Sequence, residues 1–557
     1  MFRHQHADGG FFSECAFPTI IQFDFRYFCA LRIFVDTYPL QQMKKLYILL
    51  FLSFLILPGM KQLLGQTDPV LRIEIETKSD EANYRLTPCG EKGLMLFYRT
   101  TLQENDYNFW IFILYNKFMK EIWKEDIPIF ESMSYQKQVL IGDDLYVFFY
   151  NDNKKKDQNY NFQVLKINLE LKRYELFSGL IPDEGTVAAF DVFGPNVLIG
   201  LNLPNWESGL YSFNLQSKEI IVAAELKELK TRLENLYLDT ISGNVSALFN
   251  VFNNREDQYL QLNSFDTIMK ETGSIRFTAE AGKKFNTGKI KRVSGNRLLV
   301  FGTYDLIKGQ SVDDKDYFVS DASGFFVINF TNQEKVTTRY ENFLDLENMT
   351  GYLKSREYQL AKKKQAKVDE QGEKISLGYN LLLHDIREHD SMFYFVGEGY
   401  YEDYHMVTNT YYDFYGRAMP VSYDVFDGYR YFNAFISCYD QQGDKLWDNG
   451  MEIFNILSFD LITRVNIFFT GKETVMAYNR DGKISAKIIK GSETSEGVDN
   501  FPLETTYTND KIMSDTKSTM EHWYDNYFVA YGFQTIRNNS LTNSKRTVFY
   551  INKVAFE

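Results

Sequence analysis

Cysteine is scarce, with four residues among 557, so the chain cannot be a small fold stapled by a disulfide framework. Proline is also scarce for the length, at 11, and glycine stands at 34, which excludes collagen-like and low-complexity chains. Basic charge is in deficit: 61 Lys and Arg face 74 Asp and Glu, giving −13. A nucleic-acid binder would need a basic footprint that this chain lacks. Long hydrophobic runs are also missing, apart from twelve residues at 46–57, too few for a membrane span of about 20. What the chain has in quantity is apolar and aromatic surface, 44% and 16%, far more than a disordered chain carries. That is enough to build a large core without covalent staples.

The twelve-residue run has a specific reading. Met43-Lys44-Lys45 precedes it, and Pro58-Gly59 with a polar exit follows. A short basic start, an apolar centre and a polar exit form a secretory signal peptide, expected over 43–66 with cleavage near Gly65 or Gln66. Such a peptide opens a chain, so Met43 is the expected start and 1–42 an over-extended reading frame. Residues 1–66 carry six Lys or Arg and four Asp or Glu, so the exported chain has a charge of −15. It keeps only Cys89 and Cys438, which read as buried small hydrophobes. No Cys closely follows the run, which argues against a lipid anchor, and no further membrane span is expected. Periplasm is favoured over the cell surface.

From Val70 onward, short runs rich in Val, Ile, Phe, Tyr and Leu alternate with turn residues every eight to twelve positions, an all-β signature. A turn followed by a strongly apolar strand recurs at about 50-residue spacing. It appears at Gly93-Leu94-Met95-Leu96-Phe97, Asp144-Leu145-Tyr146-Val147-Phe148, Asn196-Val197-Leu198-Ile199, Asn244-Val245-Ser246-Ala247-Leu248 and Asn296-Arg297-Leu298-Leu299-Val300. It returns at 392–396, 473–478 and 527–531, each read as an inner strand. An alternating strand and then a more polar one follow, as a radial blade requires. The expected fold is therefore all-β: a single β-propeller over 67–557 with seven or eight four-stranded blades, eight favoured. The last run, 546–552, ends before an outer strand, and Leu71-Arg72-Ile73-Glu74-Ile75-Glu76 at the front is unassigned. That N-terminal strand is expected to complete the last blade and close the ring, removing an open sheet edge. Two or three unrelated β-sandwiches are the alternative.

Two insertions interrupt the period. Residues 341–373 include helix formers and Lys362, Lys363, Lys364 and Lys367, read as a solvated helix. Residues 400–432 hold twelve Tyr or Phe in 33 positions among loop-like glycines and polar residues. Tyr joins a large apolar face to a hydrogen-bonding tip, which suits protein and sugar surfaces. Tyr404, Tyr411, Tyr412, Phe414, Tyr415, Arg417, Tyr423 and Tyr429 are the candidate binding residues. The alternative is that the insertion folds over the propeller and packs its rings as a satellite core.

Within it, Phe426-Asp427-Gly428-Tyr429-Arg430-Tyr431, Ala434-Phe435-Ile436 and Asp440-Gln441-Gln442-Gly443-Asp444-Lys445-Leu446-Trp447-Asp448-Asn449 resemble secreted, uncharacterised propeller-like proteins of Bacteroidetes bacteria with a Tyr-rich loop. The Gly-x-x-x-Trp-Asp step also resembles blade-closing turns of quinoprotein-type propellers, where the Trp packs between blades. The likeness covers mainly residues 426–449. It implies an exported bacterial propeller and carries over no catalytic residue.

Catalytic signals are sparse. The segment His384-Asp385-Ile386-Arg387-Glu388-His389-Asp390 lacks the His spacing of helical zinc motifs and reads as a turn between strands. There is no Gly-x-Ser-x-Gly, Gly-x-x-x-x-Gly-Lys or Cys-x-x-Cys. Carboxylate pairs such as Asp143-Asp144 and Asp313-Asp314 are weak signals in an acidic chain. No catalytic residue, metal or cofactor is assigned. The expectation is a non-catalytic binding or scaffold module of the bacterial envelope, with a protein or glycan partner. The rival is a carbohydrate-active enzyme, with the rings on sugar faces and Asp413, Asp424 or Asp427 in acid–base work. A third reading is an accessory of outer-membrane secretion or surface assembly.

Overall fold

The computed structural model describes residues 71–556, apart from 81–82, 152–158, 227–229, 241, 254–256, 294–296, 308–321, 332–333, 347–379, 472, 492–496 and 543. The leader expected at 43–66, the stretch 1–42, the lysines of the expected helix and Asp313-Asp314 lie outside the described residues. The described regular structure is almost entirely strand. Among the described residues, no helix is long and apolar enough to cross a membrane.

The strands fall into antiparallel sheets that follow one another along the chain. Blade 1 spans residues 85–130, blade 2 134–179, blade 3 186–226 and blade 4 230–278. Blade 5 spans 283–342, blade 6 380–458, blade 7 466–502 and blade 8 511–555. Each is a four-stranded meander, except that the first strand of blade 6 is broken in two. The N-terminal strand Arg72–Glu76 is the outermost strand of blade 8, paired with Lys545–Ala555 from Arg72↔Asn552 to Glu76↔Val548. The first and last strands of the described residues thus share one sheet.

Packing follows the same ring. A separate apolar cluster lies between each pair of successive blades, for example Met95, Phe97 and Phe112 of blade 1 against Leu145, Val147 and Leu165 of blade 2. Leu86, Leu94 and Leu96 of blade 1 meet Val529, Phe549 and Ile551 of blade 8. The last blade therefore packs on the first, and the molecule is a closed β-propeller. Cys89 and Cys438 are free and buried within these clusters, and burial pushes both thiols up to about 12.

The strongly apolar recurring strands are not the innermost ones. Leu94–Glu104, Asp144–Tyr150, Met392–Tyr412, Glu473–Arg480 and Tyr527–Arg537 are the second strands of their blades. A second strand is covered by blades on both faces, so it reads as a continuous apolar run. The first strands carry charges and half-buried side chains because they line the axis: Arg85, Lys137, Asp191, Glu234, Lys289 and Lys517 all border axial cavities.

A small irregularity repeats with the blades. In blades 2 to 5 the first strand bulges by one residue, at positions 136, 188, 234 and 286. The residue one step past the bulge on the second strand can then reach the next blade. Asn202 accepts from the Leu233 amide at 2.8 Å, and Asn250 Nδ2 donates to the Asn286 carbonyl at 2.9 Å. In blade 6 the bulge has grown into His384-Asp385-Ile386, between Asn380–Leu383 and Arg387–His389. The matching position is Glu398.

Candidate functional site

The Tyr-rich stretch is a hairpin rather than a loop. Met392–Tyr412 and Ala418–Tyr439 pair along their whole length around the turn Asp413–Arg417. Tyr404, Met406, Thr408, Thr410 and Tyr412 alternate with His405, Val407, Asn409 and Tyr411; this period of two, with aromatic and β-branched residues, favours strand over loop. Pairing with the strand Asn380–Leu383 stops at Tyr400, and pairing with Lys445–Ser458 begins only at Tyr429. The nine pairs from Tyr404↔Phe426 to Tyr412↔Ala418 therefore form a two-stranded ribbon extending about 30 Å beyond its blade. Among the described residues, neither edge of this ribbon is paired.

Alternation sorts its side chains. Val407, Tyr411, Met419, Val421, Tyr423 and Val425 share one face with His405 and Asn409. The other face carries Thr408, Thr410, Ser422 and Asp424 with Tyr404, Met406 and Tyr412. At the tip Phe414 is 97% exposed and Tyr415 79%, and Tyr412 beside them is 72% exposed. The Arg417 guanidinium lies 5.7 Å from the Tyr415 ring. The base is clamped: Arg430 Nε donates to Asp403 at 2.7 Å, and His405 Nδ1 meets Asp427 at 2.7 Å. The Tyr404 hydroxyl donates to Glu402 at 2.5 Å, which with partial desolvation raises its pKa. Tyr429 is half-buried in this base, against Tyr400 and Phe426, while the outer rings stand in solvent. The candidate residues are thus strung along the ribbon rather than gathered in a pocket.

The three carboxylates of the enzyme reading do not face one another. Asp413 caps the turn, accepting from the amides of Tyr415 at 2.9 Å and Arg417 at 2.8 Å. Asp424 stands mid-ribbon opposite Met406, and Asp427 is at the base with His405.

His384 faces the buried Glu398, with Nε2 2.7 Å from Oε1. Glu398 is 0% exposed and also accepts from the backbone amides of Arg464, at 2.8 Å, and Val465, at 2.9 Å. It thereby fastens blade 6 to blade 7 at the position where Asn202 and Asn250 fasten theirs. Among the described residues, no three His, Cys, Asp or Glu side chains converge as metal ligands.

Sequence reading missed the axial cavities. The larger, of 620 Å³, is bordered by blade 1 at Arg85, blade 2 at Tyr135 and Gln138, and blade 6 at His384 and Arg387. Blade 8 adds Lys517, Glu521 and Tyr531, and the approach to blade 7 adds Arg464. Burial raises the pKa of Glu521, partly offset by the hydrogen bond from Tyr531. A second cavity, of 380 Å³, lies among the first strands of blades 2 to 5. There desolvation and the nearby charge of Asp385 push Asp191 up to about 6, against a backbone hydrogen bond that lowers it. No local motif marks these residues, because each blade gives only one to a few.

No family model matches the chain, and no curated protein matches it. Among solved structures it is similar to polysaccharide lyase Uly1, at 8% identity and TM-score 0.40, over 88% of this chain and 100% of that one. It is similar to the WD40 domain of SCAP from fission yeast, at 7% identity and TM-score 0.39, over 87% and 98%. It is also similar to the β-propeller domain of the Trilobed protease from Pyrococcus furiosus, at 9% identity and TM-score 0.32, over 73% and 96%. At such identities the likeness concerns the fold alone.

Proposed function

We propose that the chain is an exported β-propeller of the bacterial envelope that acts without catalysis, as a binding or scaffold module, with the Tyr-rich ribbon as its contact surface. One observation carries this reading: a two-stranded ribbon, free at both edges among the described residues, exposes rings from Tyr411 to Tyr415. An isolated hairpin is marginally stable in water, and a free strand edge is a template for strand addition by a partner. Tyr offers contact area at low entropic cost. The separation of Asp413, Asp424 and Asp427 favours binding over glycoside hydrolysis, which needs two carboxylates across a cleft. A protein partner in the periplasm fits the apolar face and open edges.

The test is capture of partners from the protein's own cells by the C-terminally tagged chain, with Tyr411, Tyr412 and Tyr415 replaced together by Ala. Partner recovery should fall at least tenfold while the melting temperature stays within about 1 °C, since these side chains are exposed. Undiminished recovery with the stable variant would remove the ribbon as the contact surface.

A further inference from the structure

Four cations border the 620 Å³ axial cavity: Arg85, Arg387, Arg464 and Lys517. None is in an ion pair among the described residues. Arg85 lies over the Tyr135 ring at 4.8 Å. Lys517 donates to the Asp80 carbonyl at 2.7 Å, and Arg464 donates to Ser458 Oγ at 2.5 Å. Arg464 is only 5% exposed, and its Nε has no partner. In a chain with 13 more acidic than basic residues, chance would pair such groups with carboxylates. The cavity has two, Asp460 and Glu521, and Glu521 is engaged by the Tyr531 hydroxyl.

Among the first strands of the blades, the backbone is least regular at the same place. Blades 2 to 5 bulge by one residue, whereas the first strand of blade 8 skips Lys517 and Ser518 between Thr516 and Thr519. Lys517 is held at φ 52, a conformation costly for a residue with a side chain. Blade 6 replaces its bulge by His384-Asp385-Ile386, which brings His384 and Arg387 to the rim. Bulges re-aim side chains and gather at functional sites, and the two largest departures among the first strands both deliver cations here.

From this geometry we infer that the axial cavity between blades 8, 1, 2 and 6 is a binding site for a small organic oxyanion, a carboxylate or a phosphate ester. Its charged groups meet Arg85, Arg387 and Lys517, and its body lies against Tyr135 and Tyr531. Guanidinium groups bind both oxyanions in a forked geometry, and the cavity volume suits a small molecule. This site is separate from the ribbon, and either can fail without the other.

Calorimetric titration of the full chain with citrate, glucose 6-phosphate and neutral glucose tests it. Saturable binding is expected for at least one anion and not for glucose, and the anion that binds identifies the source. Arg85→Gln with Arg387→Gln should weaken binding at least tenfold, while Lys120→Gln, at an exposed turn outside the cavity, should leave it unchanged. If the double variant does not fold, Arg387→Gln alone, at an exposed position, should still cost about threefold. No saturable binding of either anion, equal binding of glucose, or undiminished binding by the folded variants would overturn the assignment.

Discussion

Glu398 illustrates how one position serves different blades through different chemistry. Asn202 accepts one amide and Asn250 donates to a carbonyl, whereas Glu398 takes two amides and a histidine. A buried carboxylate must be satisfied on all sides, and His384 completes that set. Glu398→Ala would leave the buried Arg464 and Val465 amides without their acceptor, costing roughly 3 kcal/mol. Thermal or urea unfolding should show this as a transition several degrees or a corresponding fraction of a molar earlier. A loss below about 0.5 kcal/mol would mean that the clamp does not hold blades 6 and 7 together.

The ribbon is the element that departs most from the blade pattern. Its base is fixed by Arg430–Asp403 and by the Tyr400, Phe426 and Tyr429 rings, and its outer half is in contact with little but itself. Replacing residues 406–424 by a two-residue Asn-Gly turn should therefore leave the melting temperature within about 2 °C of the parent. The same excision should slow non-specific self-association, measured by light scattering, because it removes the exposed apolar face and both free edges. A drop of ten degrees would show that the ribbon packs on the body as a structural strap.

The whole molecule depends on closing the ring between chain ends. Arg72 joins Glu74, Asn552 and Gln534, and Arg546 joins Glu74 and Asp510, so the closing strand is tied by partly buried charges as well as backbone pairing. A chain truncated to begin at Thr77 loses that strand and bares the edge of Lys545–Ala555, with Phe549 and Ile551 along it. Size-exclusion chromatography with light scattering should then show a larger mass or aggregate than for the intact chain, with unfolding at least 5 °C earlier. A truncated protein with unchanged mass per particle and unchanged stability would show that the ring does not need its fourth strand there.

Much of this architecture was legible in the residues themselves. Strand identity, the recurrence near 50 residues and the closing strand follow from alternation, turn residues and an unassigned N-terminal run, because a blade is a local meander whose pattern lies in consecutive residues. The order from axis to rim was not, since the second strand is the most apolar only because neighbouring blades cover both its faces. Aromatic excess marked residues 400–432, yet their glycines concealed a continuous hairpin, and pairing between strands decided it. The axial cavity had no sequence mark at all. Arg85, Tyr135, Arg387, Arg464, Lys517 and Glu521 come together only when the ring closes, because a site on the axis takes a few side chains from each blade, and local periodicity cannot say which distant residues will share that space.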